Sequence, residues 1–152
     1  MHFLELITKL SENQKLKIYV DMDGVIASYD FDKPLRFDIK RPLYTNINTL
    51  KKISRLENVE LHILSICITD NQVLEKNDWL DKYAPFFEKT NRNILSKQTY
   101  KGYTSKELKA NFLKDVKKDR LVVLIDDDNE VLKHVKKEVK EVILFQDSEL
   151  VD

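Results

Sequence analysis

The sequence predicts an α/β protein built on a doubly wound parallel sheet, in which helices cover both faces of the sheet. Apolar segments of strand length alternate with amphipathic segments of helix length along the 152 residues. This alternation is typical of parallel strands joined by crossover helices. The chain carries no repeat, low-complexity tract or linker. We therefore expect one domain over residues 1–152.

In the first half of the chain, two helices and two strands flank an irregular segment. Residues 1–16 are predicted to form an N-terminal helix because their apolar side chains recur on one helical side: Phe3, Leu4, Leu6, Ile7 and Leu10. Residues 17–21 form the first strand. Residues 28–44 hold two prolines and several aromatic residues without a regular period, which predicts a small cap or loop insertion. A helix over residues 45–55 and a strand over residues 59–65 follow.

The second half repeats this strand and helix alternation. The helix predicted over residues 70–83 carries apolar residues that we assign to the core, namely Val73, Leu74, Trp79 and Leu80. A short strand follows over residues 93–95, and residues 105–117 form a helix with one apolar face. Residues 121–125 are five consecutive apolar residues, the clearest buried strand. A helix over residues 130–140 and a strand over residues 141–145 end the pattern.

Composition excludes several classes of protein. Basic and acidic residues both number 26, so no global field attracts a long nucleic acid or an acidic membrane. No apolar run approaches the ~20 residues of a membrane span, and the N-terminal residues do not resemble a secretory signal. The single cysteine forms no internal disulfide, which favours a reducing compartment. We expect a cytoplasmic protein with a small-molecule substrate and no membrane partner; nucleic acid is not expected, and the oligomeric state stays open.

Two acids one residue apart end the first strand. Asp21 is the last residue of the apolar strand, Asp23 comes two residues later, and Gly24 follows it. In a parallel sheet, ligands collect at the carboxyl ends of the strands. There, one carboxylate can attack an electrophile while the other handles a proton. Gly24 allows the backbone to turn and a substrate to approach closely.

Further polar residues are expected at the same edge of this Rossmann-like sheet. Asp126 and Asp127 follow the fourth strand, Ser65 ends the second, and Lys106 and Lys109 lie near the start of a helix. This combination suits phosphoryl transfer, since carboxylates hold a hard cation and a hydroxyl, backbone N–H groups and a lysine hold phosphate oxygens. Crowded carboxylates repel one another, so the prediction includes bound Mg²⁺.

Four motifs in this order resemble the haloacid-dehalogenase-like (HAD) phosphohydrolases. The first is Asp21-Met22-Asp23-Gly24-Val25 and the second is the strand Leu61 to Ser65. The third is the helix-opening Lys109-Ala110-Asn111-Phe112-Leu113 and the fourth is Val122 to Asp127. The first and fourth look most like the 5′-nucleotidase branch, which includes deoxyribonucleotidases.

The resemblance implies a role for each matching residue. Asp21 would be the nucleophile that forms an aspartyl-phosphate, and Asp23 would protonate the leaving group and then activate water. Ser65, Ile66 and Lys109 would bind the phosphate. Asp126 and Asp127 would hold Mg²⁺ together with Asp21 and Asp23, the latter through its backbone carbonyl. The implied function is a Mg²⁺-dependent phosphomonoester hydrolase, and the branch that it looks most like implies a 5′-nucleotidase acting on nucleoside monophosphates.

Several alternatives stay open at this point. The aromatic and basic residues of the insertion, Tyr29, Phe31, Arg36 and Phe37, either contact the substrate or only pack the insertion down. Asp128 is expected to cap a helix, and Cys67 to be a small buried apolar residue. The substrate could instead be a sugar phosphate, a nucleic-acid end or a phosphoprotein. An inactive binding module of the same fold and a phosphate-accepting signalling receiver domain are the non-enzymatic alternatives.

Overall fold

A computed structural model describes residues 2–29 and 36–151 of the chain. Five strands form one all-parallel sheet in the order β3-β2-β1-β4-β5. The strands are β1 (Leu16–Val20), β2 (Val59–Cys67), β3 (Arg92–Ser96), β4 (Leu121–Asp126) and β5 (Ile143–Gln146). The helices are α1 (Phe3–Asn13), α2 (Tyr44–Ile53), α3 (Asp70–Tyr83), α4 (Ser105–Asp115) and α5 (Asn129–Glu138).

The helices cover both faces of the sheet, which confirms the predicted doubly wound fold. Apolar residues of α1, α2 and α3, such as Ile7, Leu50 and Leu80, pack in one buried cluster. Those of α4 and α5, such as Leu113 and Val135, pack in a second cluster. The central strand β1 divides the two: Ile18 faces the first cluster, and its neighbours along the strand alternate between the faces.

The predicted strands and helices are all present, with ends displaced by a few residues. The bounds of α3 agree with the prediction, because Thr69 and Gln72 form a capping box at its start. Strand β2 continues two residues past Ser65, to Cys67. Strand β5 begins at Ile143 rather than at residue 141, since Val142 N–H donates to the Val139 carbonyl in a turn.

One core assignment was wrong. Leu74 is 64% exposed, although the sequence placed it in the core with Trp79 and Leu80. The buried stripe of α3 holds Gln72, Lys76, Trp79 and Leu80, a spacing that turns Leu74 to the solvent side. A polar glutamine and a lysine therefore take inward positions near the start of this helix.

The described part of the insertion is anchored to the loop that follows β1 and to α3. Ser28 N–H donates to the Arg41 carbonyl (2.8 Å) and Leu43 N–H to the Ile26 carbonyl (2.8 Å). Residues Phe37–Ile39 form a 3₁₀ turn, where the Phe37 ring meets Trp79 edge-on, with centroids 5.7 Å apart. Over residues 2–29 and 36–151, no helix has both the length and the apolar character needed to cross a membrane.

Candidate active site

The site lies at the carboxyl edge of the sheet, between its two central strands. Strands β1 and β4 are neighbours, with Val20 opposite Ile125, and Asp21 N–H donates to the Ile125 carbonyl at 3.0 Å. The acids that end these strands, Asp21 and Asp126, are therefore level with each other. The chain moves outward from β1 through β2 and β3 and then returns to β4. This reversal is the switch point where sheets of this class bind ligands.

Three carboxylates converge at this point. Asp21, Asp126 and Asp127 each offer an oxygen, and these oxygens lie within 4.8 Å of one another. Asp21 and Asp126 are buried, and Asp127 is half-buried. Hard divalent cations such as Mg²⁺ and Ca²⁺ prefer such oxygen ligands. These three side chains therefore fit the Mg²⁺ site expected from the sequence.

Gly24 makes room for one of these carboxylates. Its φ of +80° lies in the left-handed region, and a Cβ built on it would lie 2.0 Å from Asp127 Oδ2. The expected turn is present at this glycine. The group that approaches its backbone within the described residues is the Asp127 carboxylate.

Lys109 is buried between two of the acids. Its Nζ lies 2.5 Å from Asp126 Oδ2 and 3.1 Å from Asp21 Oδ1. Burial opposes the charge of the ammonium group, but Asp21 and Asp126 outweigh it and raise the pKa of Lys109. Lys106, the other candidate lysine, does not line the cavity.

Burial and crowding perturb the carboxyl groups. Burial raises the pKa of Asp21 well above its ordinary value, and the charges of Asp126 and Asp23 add to it against the opposing charge of Lys109. Burial, followed by the charge of Asp126, raises the pKa of Asp127 to about 6. A bound divalent cation would relieve this repulsion, which is the second reason that the three acids suit a metal.

Asp23 faces a different set of partners. Lys40 Nζ contacts its Oδ1, and Lys76 Nζ lies 3.1 Å from its Oδ2. Burial acts to raise the pKa of Asp23, but Lys76 and Lys40 outweigh it, so the pKa is lowered. The Asp23 side chain therefore lies outside the group formed by Asp21, Asp126 and Asp127.

On β2, Ile66 lines the cavity, whereas Ser65 lies beside it and does not. Ser65 is fully buried, and its Oγ accepts a hydrogen bond from Lys76 Nζ at 2.7 Å. The Ile66 carbonyl accepts another from the same ammonium at 3.0 Å, and Ile66 lines the cavity. Lys76 thus joins β2 to Asp23.

A cavity of about 830 Å³ opens above these groups, a size typical of small-molecule sites. Tyr29, 59% exposed, and the buried Phe37 line it. Arg36 does not; its guanidinium pairs with the exposed Asp38 at 3.1 Å. Phe31 lies outside the described residues.

The chain brings most of the predicted site residues together and adds two. Asp21, Asp23, Ile66, Lys109, Asp126 and Asp127 all line one cavity, with Ser65 directly beneath Lys76. Asp128 also reaches the cavity but caps α5, since its Oδ1 accepts from Glu130 N–H at 2.9 Å. Sequence reasoning missed Lys40 and Lys76. The signal for Lys76 was its place on the inward stripe of α3; Lys40 gave no such signal.

Comparison with known proteins shows the fold. No family model matches the chain, and a comparison with curated protein sequences finds no match. Solved structures do match, among them two chains from "Structure of the Pnkp1/Rnl/Hen1 RNA repair complex" and "Structure of Pnkp1/Rnl/Hen1 complex". Each has a TM-score of 0.68 and 19% identity over 88% of this chain. This chain spans 42% and 46% of the length of those two chains. The likeness supports the doubly wound α/β fold and gives no support to the nucleotidase branch.

Proposed function

We propose that this protein is a Mg²⁺-dependent phosphomonoester hydrolase of the HAD type that works through an aspartyl-phosphate on Asp21. The observation that carries the proposal is the meeting of Asp21, Asp126 and Asp127 within 4.8 Å of one another, with Lys109 buried against two of them. A solvated acid cluster would have neither this burial nor a buried ammonium between its members.

In the proposed reaction, a carboxylate oxygen of Asp21 attacks the phosphorus atom and the bond to the leaving oxygen breaks. Burial acts to raise the pKa of Asp23 but Lys76 and Lys40 lower it, so the leaving oxygen takes up a proton that Asp23 relays from solvent. The phosphoryl group stays on Asp21. Water, losing a proton to Asp23, then attacks the phosphorus atom and releases inorganic phosphate, which restores Asp21. Asp21 and Asp23 suit these roles because both line the same cavity.

The remaining groups bind the phosphate and orient the nucleophile. Bound Mg²⁺, held by Asp21, Asp126 and Asp127, would neutralise the negative charge of the phosphate. Lys109 holds Asp21 in place through its 3.1 Å contact, so that the nucleophilic oxygen keeps one orientation. The Ser65 hydroxyl holds the Lys76 ammonium group, which lines the cavity, at 2.7 Å.

Nucleoside monophosphates are the first substrates to test. Tyr29 and Phe37 line the cavity that holds the acids, so the base of a nucleotide whose phosphate is bound there would meet aromatic side chains. The test is phosphate release from nucleoside monophosphates, sugar phosphates and p-nitrophenyl phosphate, with Mg²⁺ and with a chelator. Turnover should require Mg²⁺ and vanish in Asp21→Asn, while Asp78→Asn, the same change at an exposed site on α3, should keep it. Full activity of Asp21→Asn would refute the proposal.

A phosphorylated nucleic-acid end is the second candidate substrate. Residues 97–106, which run from the end of β3 into the first turn of α4, carry three lysines and two exposed tyrosines, Tyr100 and Tyr103, and no acidic residue. The segment begins beside the site, because Lys97 N–H donates to the carbonyl of Cys67, a residue that lines the cavity, at 2.9 Å. Lysines and tyrosines together bind single strands by charge and stacking. The matched structures from an RNA repair complex make this candidate worth the same assay.

One comparison separates the two candidates. An oligonucleotide with a terminal phosphate should be hydrolysed faster than the matching mononucleotide if residues 97–106 hold the strand. In that case, Tyr100→Ala with Tyr103→Ala should slow only the oligonucleotide reaction. Equal rates on both substrates, unchanged in this variant, would leave the mononucleotide as the substrate class.

A further inference from the structure

Two buried lysines reach one carboxylate from two different parts of the chain. Lys76 comes from α3 and Lys40 from the end of the insertion, and their relative exposures are 2% and 7%. Both ammonium groups contact Asp23. Two desolvated cations around one carboxylate leave a local excess of positive charge on this side of the cavity. The reaction proposed above assigns these lysines no contact with the substrate.

Lys76 lines the cavity, whereas the fully buried Ser65 does not. Its Nζ is 2.7 Å from Ser65 Oγ and 3.0 Å from the Ile66 carbonyl oxygen. The 3.1 Å contact to Asp23 is the longest of these three. An oxygen of a phosphate on this side of the cavity would therefore meet this ammonium group before the Ser65 hydroxyl and would compete with Asp23 for it.

Backbone N–H groups at the start of a helix are the usual alternative phosphate ligands, but those at the start of α3 already donate hydrogen bonds within the protein. Ile68 N–H and Thr69 N–H both donate to Gln72 Oε1, at 2.8 and 3.2 Å. Asp70 N–H donates to Gln98 Oε1 at 2.8 Å. On this side of the cavity, a phosphate would have to displace internal hydrogen bonds to use these amides, whereas the lysines need only exchange one anion for another.

The surroundings hold both lysines in place before any ligand arrives. The Phe37 ring centroid is 5.1 Å from Lys40 Nζ and 5.0 Å from Lys76 Nζ, within cation–π range. Trp79 Nε1–H donates to the Lys40 carbonyl at 2.9 Å. Because the two side chains are already ordered, an anion that binds them loses little free energy to fixing their conformations, which favours binding.

We propose that Lys76 and Lys40 form an anion-binding site for the phosphate, in which its oxygens replace the Asp23 carboxylate as partner of the two lysines. This inference rests on the proposed function for the place of the phosphate, and it adds two specificity residues that the HAD motifs do not contain. The ligand class is a dianionic phosphate. Because Lys40 belongs to the insertion, the insertion takes part in binding that phosphate.

The first test measures binding of inorganic phosphate by calorimetry, with Mg²⁺ present. Lys76→Met should weaken binding at least about tenfold, since charge-assisted hydrogen bonds to phosphate are the strong ones. Lys40→Met should weaken it by a smaller factor. Lys82→Met is the matched control, because Lys82 is an exposed lysine of the same helix, and it should bind phosphate like the wild type.

Asp23→Asn separates ligand binding from a purely positional role. If the phosphate and Asp23 compete for the lysines, removing the carboxylate charge should tighten phosphate binding several-fold, and Lys76→Met should abolish that gain. If Lys76 only positions Asp23 and Ser65, Asp23→Asn should leave phosphate binding unchanged or weaken it. The Asp23→Asn variant retains both lysines, so this test does not depend on whether Lys76→Met folds.

The failures of the two proposals look different. Phosphate binding that depends on Lys76, without turnover of any phosphomonoester, would overturn the proposed hydrolase and keep the anion site. Mg²⁺-dependent turnover with the same phosphate affinity in Lys76→Met as in the wild type would overturn the anion site alone. Absence of phosphate binding by the wild type would also overturn it.

Discussion

Replacing Lys109 by methionine removes the cation that two buried carboxylates share. The side chain of Lys109 is only 5% exposed, and its Nζ lies 2.5 Å from Asp126 and 3.1 Å from Asp21. Methionine fills a similar volume without charge. The variant therefore leaves both acids buried without their partner, which costs about 3–5 kcal/mol of unfolding free energy. For a chain of this size, that loss lowers the Tm by roughly 6–20 °C.

The assay is urea unfolding followed by the fluorescence of Trp79, the single tryptophan, with a chelator present. Lys114→Met is the control, because Lys114 is on the same helix and pairs with Glu138 at 3.3 Å on the surface; we expect a cost below about 1 kcal/mol. Adding Mg²⁺ should recover part of the Lys109→Met loss, since a cation bound among the acids stabilises the folded state. A Lys109→Met cost no larger than that of Lys114→Met would refute the buried ion pairs.

A coupled variant checks that the loss comes from the acids. Asp126→Asn in the Lys109→Met background removes one of the two carboxylate charges that the loss of Lys109 leaves without a partner. The double variant should therefore lose less stability than the sum of the single variants, with an interaction energy of at least about 1 kcal/mol. Strict additivity would mean that Lys109 and Asp126 act independently.

Three further predictions use other parts of the chain. Gly24→Ala should cost about 1–2 kcal/mol for its left-handed backbone alone and weaken Mg²⁺ binding through the clash with Asp127; wild-type Mg²⁺ affinity by calorimetry would contradict this. Trp79→Phe leaves the buried Lys40 carbonyl without its donor and should cost about 1–3 kcal/mol in chemical unfolding; no change in the urea midpoint would contradict it. Burial lowers the pKa of His62 below its ordinary value of 6.5, against an opposing contact with Glu60, so the folded protein binds this proton less readily than the unfolded chain. The stability that the folded protein has with neutral His62 is fully present above pH 6.5 and is lost as the pH falls through the lowered pKa. The wild type should therefore lose stability below pH 6.5 relative to His62→Phe. Parallel profiles of stability against pH for the two proteins would refute this.

The elements and the acids of the site could be predicted because local signals and one topological rule determine them. Apolar runs located β1 and β4, and parallel pairing brought the residues that follow them, Asp21 and Asp126, to one edge. The capping box at Thr69 fixed the start of α3. In each case, the information lies within a few residues of sequence.

The two added lysines depend on information of longer range. The orientation of α3 is set by Trp79 and Leu80, and this orientation turns Leu74 outward and Lys76 inward. A lysine at such a position is ordinarily on the surface, so only its partners on β2 and in the turn after β1 explain its burial. Lys40 is positioned by Trp79, 39 residues further along the chain, a contact that no local pattern encodes.

The measurement that tests the central claim most directly is mass spectrometry of the protein quenched during turnover of p-nitrophenyl phosphate with Mg²⁺. The proposed reaction predicts one added phosphoryl group, mapped to Asp21 and absent from Asp21→Asn. Turnover without any phosphorylated protein, or with the phosphoryl group on another residue, would contradict the assignment of Asp21 as the nucleophile.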